Sequence, residues 1–175
     1  MRMIISSESK KTRIMAIDFG DARTGVAVSD ISATLTGDAW VINEKRRDVL
    51  AGLILEEVKS RNIGVIVVGY PKNMDGSAGF RAEASEAFVE ILRNLINIEA
   101  DTQPDLNSVN IVFFDERLTT KMADQLLKTS VTNNASRAKR RKKRKSSVDA
   151  VAASLILEGY ILNIKNSLCD TKENQ

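Results

Sequence analysis

The chain has no histidine and a single cysteine, Cys169, near its C-terminal end. Without histidine there is no imidazole to act as a base near neutral pH or to ligate a transition metal. One thiol excludes a disulfide framework and a cysteine-based zinc site. No run of residues is long and apolar enough to span a membrane, and the opening segment MRMIISSESKKTR lacks the apolar centre of a secretory signal. The expectation is therefore a cytoplasmic protein with no membrane partner. Aromatic residues are few as well, with five Phe, two Tyr and one Trp. Most fall at positions that read as core, which argues against a broad base-stacking platform. Any chemistry must rest on carboxylates, lysines, hydroxyls or a hard metal ion held by oxygen atoms.

What is present is enough for one domain. A chain of 175 residues with 43% hydrophobic content can bury a core of ordinary size. Its net charge of +3 hides an asymmetry. The run RAKRRKKRK, residues 137–145, holds eight basic residues and no acid, and the other 18 Lys and Arg face 23 Asp and Glu, a net −5. A basic block of this density between ordered segments reads as a nucleic-acid contact, with a solvated segment as the alternative.

Apolar spacing organises the rest. Strands are expected over 13–19, 24–29 and 38–43, and a helix over 45–61, where Val49, Leu50, Leu53, Ile54 and Val58 recur at helical intervals. GVIVVGY, 64–70, reads as a strand buried on both faces. A long helix over 79–98 follows, then a surface connection and a fifth strand over 109–116. Thr119 and Thr120 suit the N-cap of a helix through Leu127. A polar, basic loop over 131–145 precedes a last helix over about 147–163 capped by Ser146 or Ser147. Three antiparallel strands followed by two βα units predict an α/β domain with a mixed five-stranded sheet, three strands antiparallel and two parallel, and helices on both faces. That pattern is the ribonuclease H-like one. The expected division is a flexible N-terminal tail (1–12), one such domain (13–165) and a C-terminal tail (166–175).

Three acids stand where an element meets a loop. Asp18 ends the first strand, Glu116 (beside Asp115) ends the fifth, and Asp149 lies in the first turn of the last helix. A carboxylate at the end of a central strand loses hydration and needs a cation or a donor. Ligands bind at the carboxyl ends of parallel strands. Three carboxylates there suit one or two Mg²⁺ or Mn²⁺ ions, and a pair of such ions about 4 Å apart can drive phosphodiester hydrolysis. Each acid also has a plainer explanation: Asp18 as a turn cap, Glu116 as the partner of Arg117, Asp149 as a helix-start acid. The turn GDARTG carries Arg23, and Arg23 and Arg117 are candidates for phosphate contact or for orienting the acids. Lys72, Asn73 and Asp75 lie in a loop at the same sheet edge, where substrate contact or a simple tight turn are the two readings. Lys139, Arg140, Arg141, Lys142, Lys143, Arg144 and Lys145 would bind phosphate without reading sequence.

Four motifs in order, AIDFGDARTGVAVSD (16–30), VVGYPKNMDGSAGFRAE (67–83), FFDERLTT (113–120) and SSVDAVAASLILEGYI (146–161), resemble the YqgF family, described as pre-16S rRNA nucleases and earlier as Holliday junction resolvases. The resemblance covers nearly all of the expected domain. It implies a ribonuclease H-like fold, metal-dependent phosphodiester cleavage, and a part in maturing the 5′ end of 16S ribosomal RNA. Carried over by position, the family's acidic site falls on Asp18, Glu116 and Asp149, with Arg23 and Arg117 beside it. Two departures are Asp21, where relatives often carry a small hydroxyl residue, and a long connection near 99–108. The implied partners are structured RNA, branched DNA or ribosomal precursor particles, with the chain a monomer or homodimer. Readings from other classes are a non-catalytic RNA-binding assembly factor and a phosphate-binding module of the actin/Hsp70 kind. The last of these needs two such domains, and 175 residues hold one.

Overall fold

The strand RIMAID alternates its side chains between two apolar faces, and that alternation sets the layering of the molecule. The computed structural model describes residues 13–71, 79–115 and 137–170, and within the last helix the side chains of 148–167. β1 (Arg13–Asp18), β2 (Thr24–Ser29) and β3 (Thr36–Ile42) form an antiparallel meander. α1 (Arg47–Arg61) returns the chain so that β4 (Ile63–Gly69) lies parallel to β1. α2 (Phe80–Ala100) does the same for β5 (Asn110–Phe114), parallel to β4. The sheet order is β3-β2-β1-β4-β5, so β1 is central and the ends of β1, β4 and β5 share one edge. This is the expected mixed sheet of the ribonuclease H-like class.

Met15, Ile17, Val26, Val28, Ile66 and Val68 face one way, against Leu50, Ile54 and Val58 of α1 and Phe88, Leu92 and Ile96 of α2. Ile14, Ala16, Ala27 and Val67 face the other way, against Ala153, Ile156, Leu157 and Ile161 of α3 (Arg137–Asp170). The second face is built from smaller side chains, and small side chains let a single helix lie close to the sheet. Helices thus cover both faces, as both-side burial of β1 and β4 requires.

Several boundaries differ from expectation. α3 begins at Arg137, not near 147, so the basic run 137–145 lies on helical backbone and not in a loop. Lys and Arg are good helix formers, and no Gly or Pro interrupts 137–158, so the helix continues back through Ser146 and Ser147. It also runs on to Asp170, past the tail boundary expected at 166. β5 ends at Phe114, two residues before the expected end. The connection after α2 contains a short 3-10 helix (Pro104–Ser108) that buries Leu106 in the α1/α2 core, where a plain surface connection was expected. The helix expected after Thr119 lies outside the described residues.

Candidate active site

Asp18, at the end of β1, pairs across the antiparallel ladder with Gly25 in β2. The α3 backbone passes directly over that pair. A Cβ built on Gly25 would lie 2.0 Å from the carbonyl oxygen of Asp149 and 3.3 Å from the Cβ of Ala153. Only glycine leaves room for this approach. The consequence is that Asp149 and Asp18, 131 positions apart in sequence, line one cleft of about 200 Å³ with Phe19, Gly20, Asp21, Arg23, Arg81 and Ala84.

The helix reaches this position through its apolar stripe. Ala153, Ile156, Leu157 and Ile161 are buried against the sheet, and Tyr160 and Ile164 are half-buried beside them. Asp149 stands one turn before Ala153 in the same phase, so the packing that buries the stripe carries the carboxylate to the sheet edge. The Arg23 guanidinium lies 3.9 Å from an Asp149 carboxylate oxygen, with both side chains 32% exposed.

The turn between β1 and β2 is pinned on the opposite side. Phe19 stacks on Phe88 of α2 with ring centroids 4.8 Å apart and planes 10° from parallel. Arg47 at the start of α1 sits over the Phe19 ring, 5.6 Å from its centroid, and 3.9 Å from an oxygen of Asp21. Asp21, the departure noted in the sequence, is thus tied to α1. The turn that carries Asp18 and Arg23 is held from both layers.

Of the residues picked from sequence, the described structure brings together Asp18, Arg23 and Asp149. Glu116, Arg117, Lys72, Asn73 and Asp75 lie outside the described residues. The backbone of residues 139–145 is helical and continuous with Asp149. Asp115 follows the last residue of β5, with β4 between β5 and β1. Two strand spacings separate the β1 and β5 ends, roughly 10 Å. Sequence reasoning passed over Arg81. A signal for it exists: Arg81, itself exposed, stands in phase with the buried Ala84, Ser85 and Phe88, at the end of their stripe toward the sheet edge.

Among the described residues no group of three or more Asp, Glu or Cys is close enough to hold a metal ion. Among the described lining residues the acidic donors are Asp18, Asp21 and Asp149, with no soft ligand beside them. That donor chemistry suits a hard divalent cation such as Mg²⁺ or Mn²⁺. A larger cleft of about 290 Å³ lies at the other end of the sheet, between the end of α1 and the 3-10 helix. Its cation Lys59 is already bound to Glu56 at 2.8 Å and Glu99 at 3.2 Å, so it serves to tie α1 to α2. No described helix is long and apolar enough to cross a membrane.

A mixed sheet in this order, covered by helices on both faces, defines a domain of the ribonuclease H-like class. Solved structures agree in fold. The yeast mitochondrial Holliday junction resolvase aligns over 87% of this chain and 78% of its own, with TM-score 0.53 and 14% identity. The fowlpox virus resolvase, solved with Holliday junction DNA, aligns over 87% of this chain and 99% of its own, with TM-score 0.51 and 12% identity. The chain belongs to the RuvX family, whose model, described as Holliday junction resolvase, matches residues 12–163. Relatives named "Putative pre-16S rRNA nuclease" include one from Staphylococcus epidermidis, 36% identical over 158 residues that cover 89% of this chain and 99% of the relative. Another, from Bacillus mycoides, is 40% identical over 151 residues, 85% of this chain and 97% of the relative.

Proposed function

We propose that this chain is a nuclease that hydrolyses phosphodiester bonds with the help of a divalent cation, and that its substrate is the 5′ end of precursor 16S ribosomal RNA. The observation that carries the reading is the convergence of Asp18 and Asp149 over Gly25, with Arg23 3.9 Å from Asp149. Asp18 and Asp149 would hold the cation, with Glu116 as the third ligand. A bound Mg²⁺ or Mn²⁺ supplies activation of water and neutralisation of charge on the phosphate. Asp18, fixed by the β1–β2 ladder, and Asp149, fixed by the α3 packing, supply preset oxygen donors. Arg23 orients Asp149 and stands ready to contact a phosphate oxygen. Arg117, Lys72 and Asn73 are further proposed substrate contacts. Lys139 to Lys145 draw the nucleic-acid backbone toward the cleft. The names of this chain's relatives support ribosomal RNA as substrate, the family model's description supports the four-way junction as the alternative, and a cytoplasmic location accords with the first role.

The test is incubation of the protein with precursor 16S RNA and with a four-way DNA junction, in Mg²⁺ and in Mn²⁺, beside Asp18→Asn and Asp149→Asn. The expected result is cleavage at the RNA 5′ end, reduced at least a hundredfold in either variant with the melting temperature kept. Preferred cleavage of the junction would make the chain a resolvase. RNA binding with no cleavage in either metal would make it an assembly factor. Equal activity in wild type and variants would remove the acids from the mechanism.

A further inference from the structure

We infer that Arg81 is a substrate-contact residue, binding a non-bridging phosphate oxygen of the nucleic acid from the α2 wall of the cleft. The inference rests on the reading of this cleft as a nucleic-acid site. Arg81 lines the same 200 Å³ space as Asp18, Arg23 and Asp149, but from the other wall. The three described arginines around the cleft differ in how their charge is used. Arg23 is paired with Asp149 at 3.9 Å, and Arg47 with Asp21 at 3.9 Å. Arg81 makes no ion pair with any described residue, although it shares the cleft with three carboxylates.

Its position in the helix is a second, independent observation. Arg81 is the second residue of α2, which begins at Phe80 after the N-cap Gly79. A cation there opposes the positive end of the helix dipole, which favours acids in the first turn. Among the described residues nothing in the packing of α2 calls for a guanidinium at that point, because the side chain is exposed and has no ion pair with them while Ala82, Ala84 and Ser85 bury the turn. A residue that breaks a local rule without a local gain belongs with function rather than with folding. An anion entering the cleft satisfies both sources of positive potential, the helix end and the guanidinium, at once. A phosphodiester held over Asp18 and Asp149 would present one non-bridging oxygen toward the β1–β2 turn and the other toward α2. Among the described residues Arg81 is the cation on that second side.

The experiment measures equilibrium binding of a structured RNA as a function of monovalent salt. Calcium is held at a fixed concentration as the divalent ion, because it takes oxygen ligands as Mg²⁺ does. Wild type, Arg81→Gln, Arg81→Lys and Arg93→Gln are compared. Arg93, farther along α2 and paired with Glu90 at 3.5 Å, controls for removal of charge from the same helix. Loss of one phosphate contact lowers the slope of log affinity against log salt by about 0.7 to 0.9, and weakens binding about tenfold at moderate salt. The expectation is that Arg81→Gln shows both effects, Arg81→Lys recovers the slope, and Arg93→Gln matches wild type. A merely structural role would move the melting temperature and leave the slope alone. An unchanged slope in Arg81→Gln, or an equal fall in Arg93→Gln, overturns the assignment even where wild type cleaves RNA. The slope change in a protein that cleaves nothing would support the Arg81 contact and remove the nuclease reading.

Discussion

The carbonyl oxygen of Asp149 occupies the place where a side chain on Gly25 would begin, 2.0 Å from an ideal Cβ. Through this contact the last helix is seated on the strand pair that carries Asp18. A methyl group at Gly25 must push α3 outward, and α3 carries Asp149, one of the two described acids proposed to hold the cation. Gly25→Ala is expected to cost about 1–3 kcal/mol of stability, as overpacking of a well-fitted contact does. Cleavage should fall further than stability alone accounts for. Urea denaturation beside cleavage kinetics at a temperature where the variant stays folded will separate the two losses. Full activity in a folded Gly25→Ala protein would show that the Asp149 backbone need not sit there.

Arg23 and Asp149 form a pair at 3.9 Å in which both side chains are about one-third exposed. Solvent screens such a pair, so Arg23→Gln should change stability by less than about 1 kcal/mol. If Arg23 orients the acid or binds phosphate, the cleavage rate should nonetheless fall tenfold or more. A stability loss without a rate loss would assign Arg23 to the fold alone.

Leu157 is fully buried where α3 meets the sheet, in the cluster with Ala16, Ala27 and Ile156. Leu157→Ala leaves a cavity and should cost about 2–5 kcal/mol. Because this stripe holds Asp149 at the sheet edge, partial detachment of α3 should appear as lost cleavage below the melting transition. Hydrogen exchange along residues 148–167 would locate the detachment.

Asp30 organises the β2–β3 loop. It accepts hydrogen bonds from the Ser32 hydroxyl, from the backbone N–H of Thr34 at 2.7 Å and of Leu35 at 2.8 Å, and from that of Ser32 at 3.2 Å. The Ser32 hydroxyl bond first, then the Leu35 and Thr34 amides, hold its carboxyl well below the usual aspartate range. A group with a depressed folded-state value stabilises the fold above its unfolded value of about 3.9 and loses that contribution as pH falls through the folded value. Asp30→Ala should therefore melt lower than wild type near pH 7, and the gap should narrow as pH falls below the unfolded value of about 3.9 and close toward the depressed folded value. A gap that stays constant through acid would assign the loss to loop packing and not to the carboxylate.

Replacing residues 139–145 by alternating Gln and Ala should reduce RNA affinity at low salt and flatten its salt dependence. The effect should be similar for unrelated RNA sequences of equal length, because phosphate contacts carry no sequence information. A sequence-selective loss would mean that this segment reads bases.

Much of the framework could be read before the structure. The alternation in RIMAID, the all-apolar IGVIVVG and the spacing of Leu50, Ile54 and Val58 each specify an element through its own neighbours, because burial of one face imposes a period. The basic run misled by composition: a block of like charge reads as a loop, yet its residues are helix formers joined without interruption to a helix anchored by Ile156 and Leu157. Arg81 went unnoticed because exposed arginines on helices are ordinary. The cleft, the first-turn position and the lack of an ion pair with any described residue distinguish it from Arg93 on the same helix, which is paired with Glu90.

The sequence by itself determined which acids and bases are available and, through periodicity, the strands and helices that carry them. The lack of histidine and the single cysteine restricted the chemistry to oxygen ligands and charged side chains. The tertiary structure decided which of those groups meet. Asp18 and Asp149 share a cleft because α3 lies against Ala16, Ala27 and Gly25, whose small size permits close approach. Arg81 joins them because α2 stacks Phe88 on Phe19 and so brings its first turn to the sheet edge. Contacts between residues far apart in the chain depend on the shapes of two packed surfaces, and no local spacing encodes them.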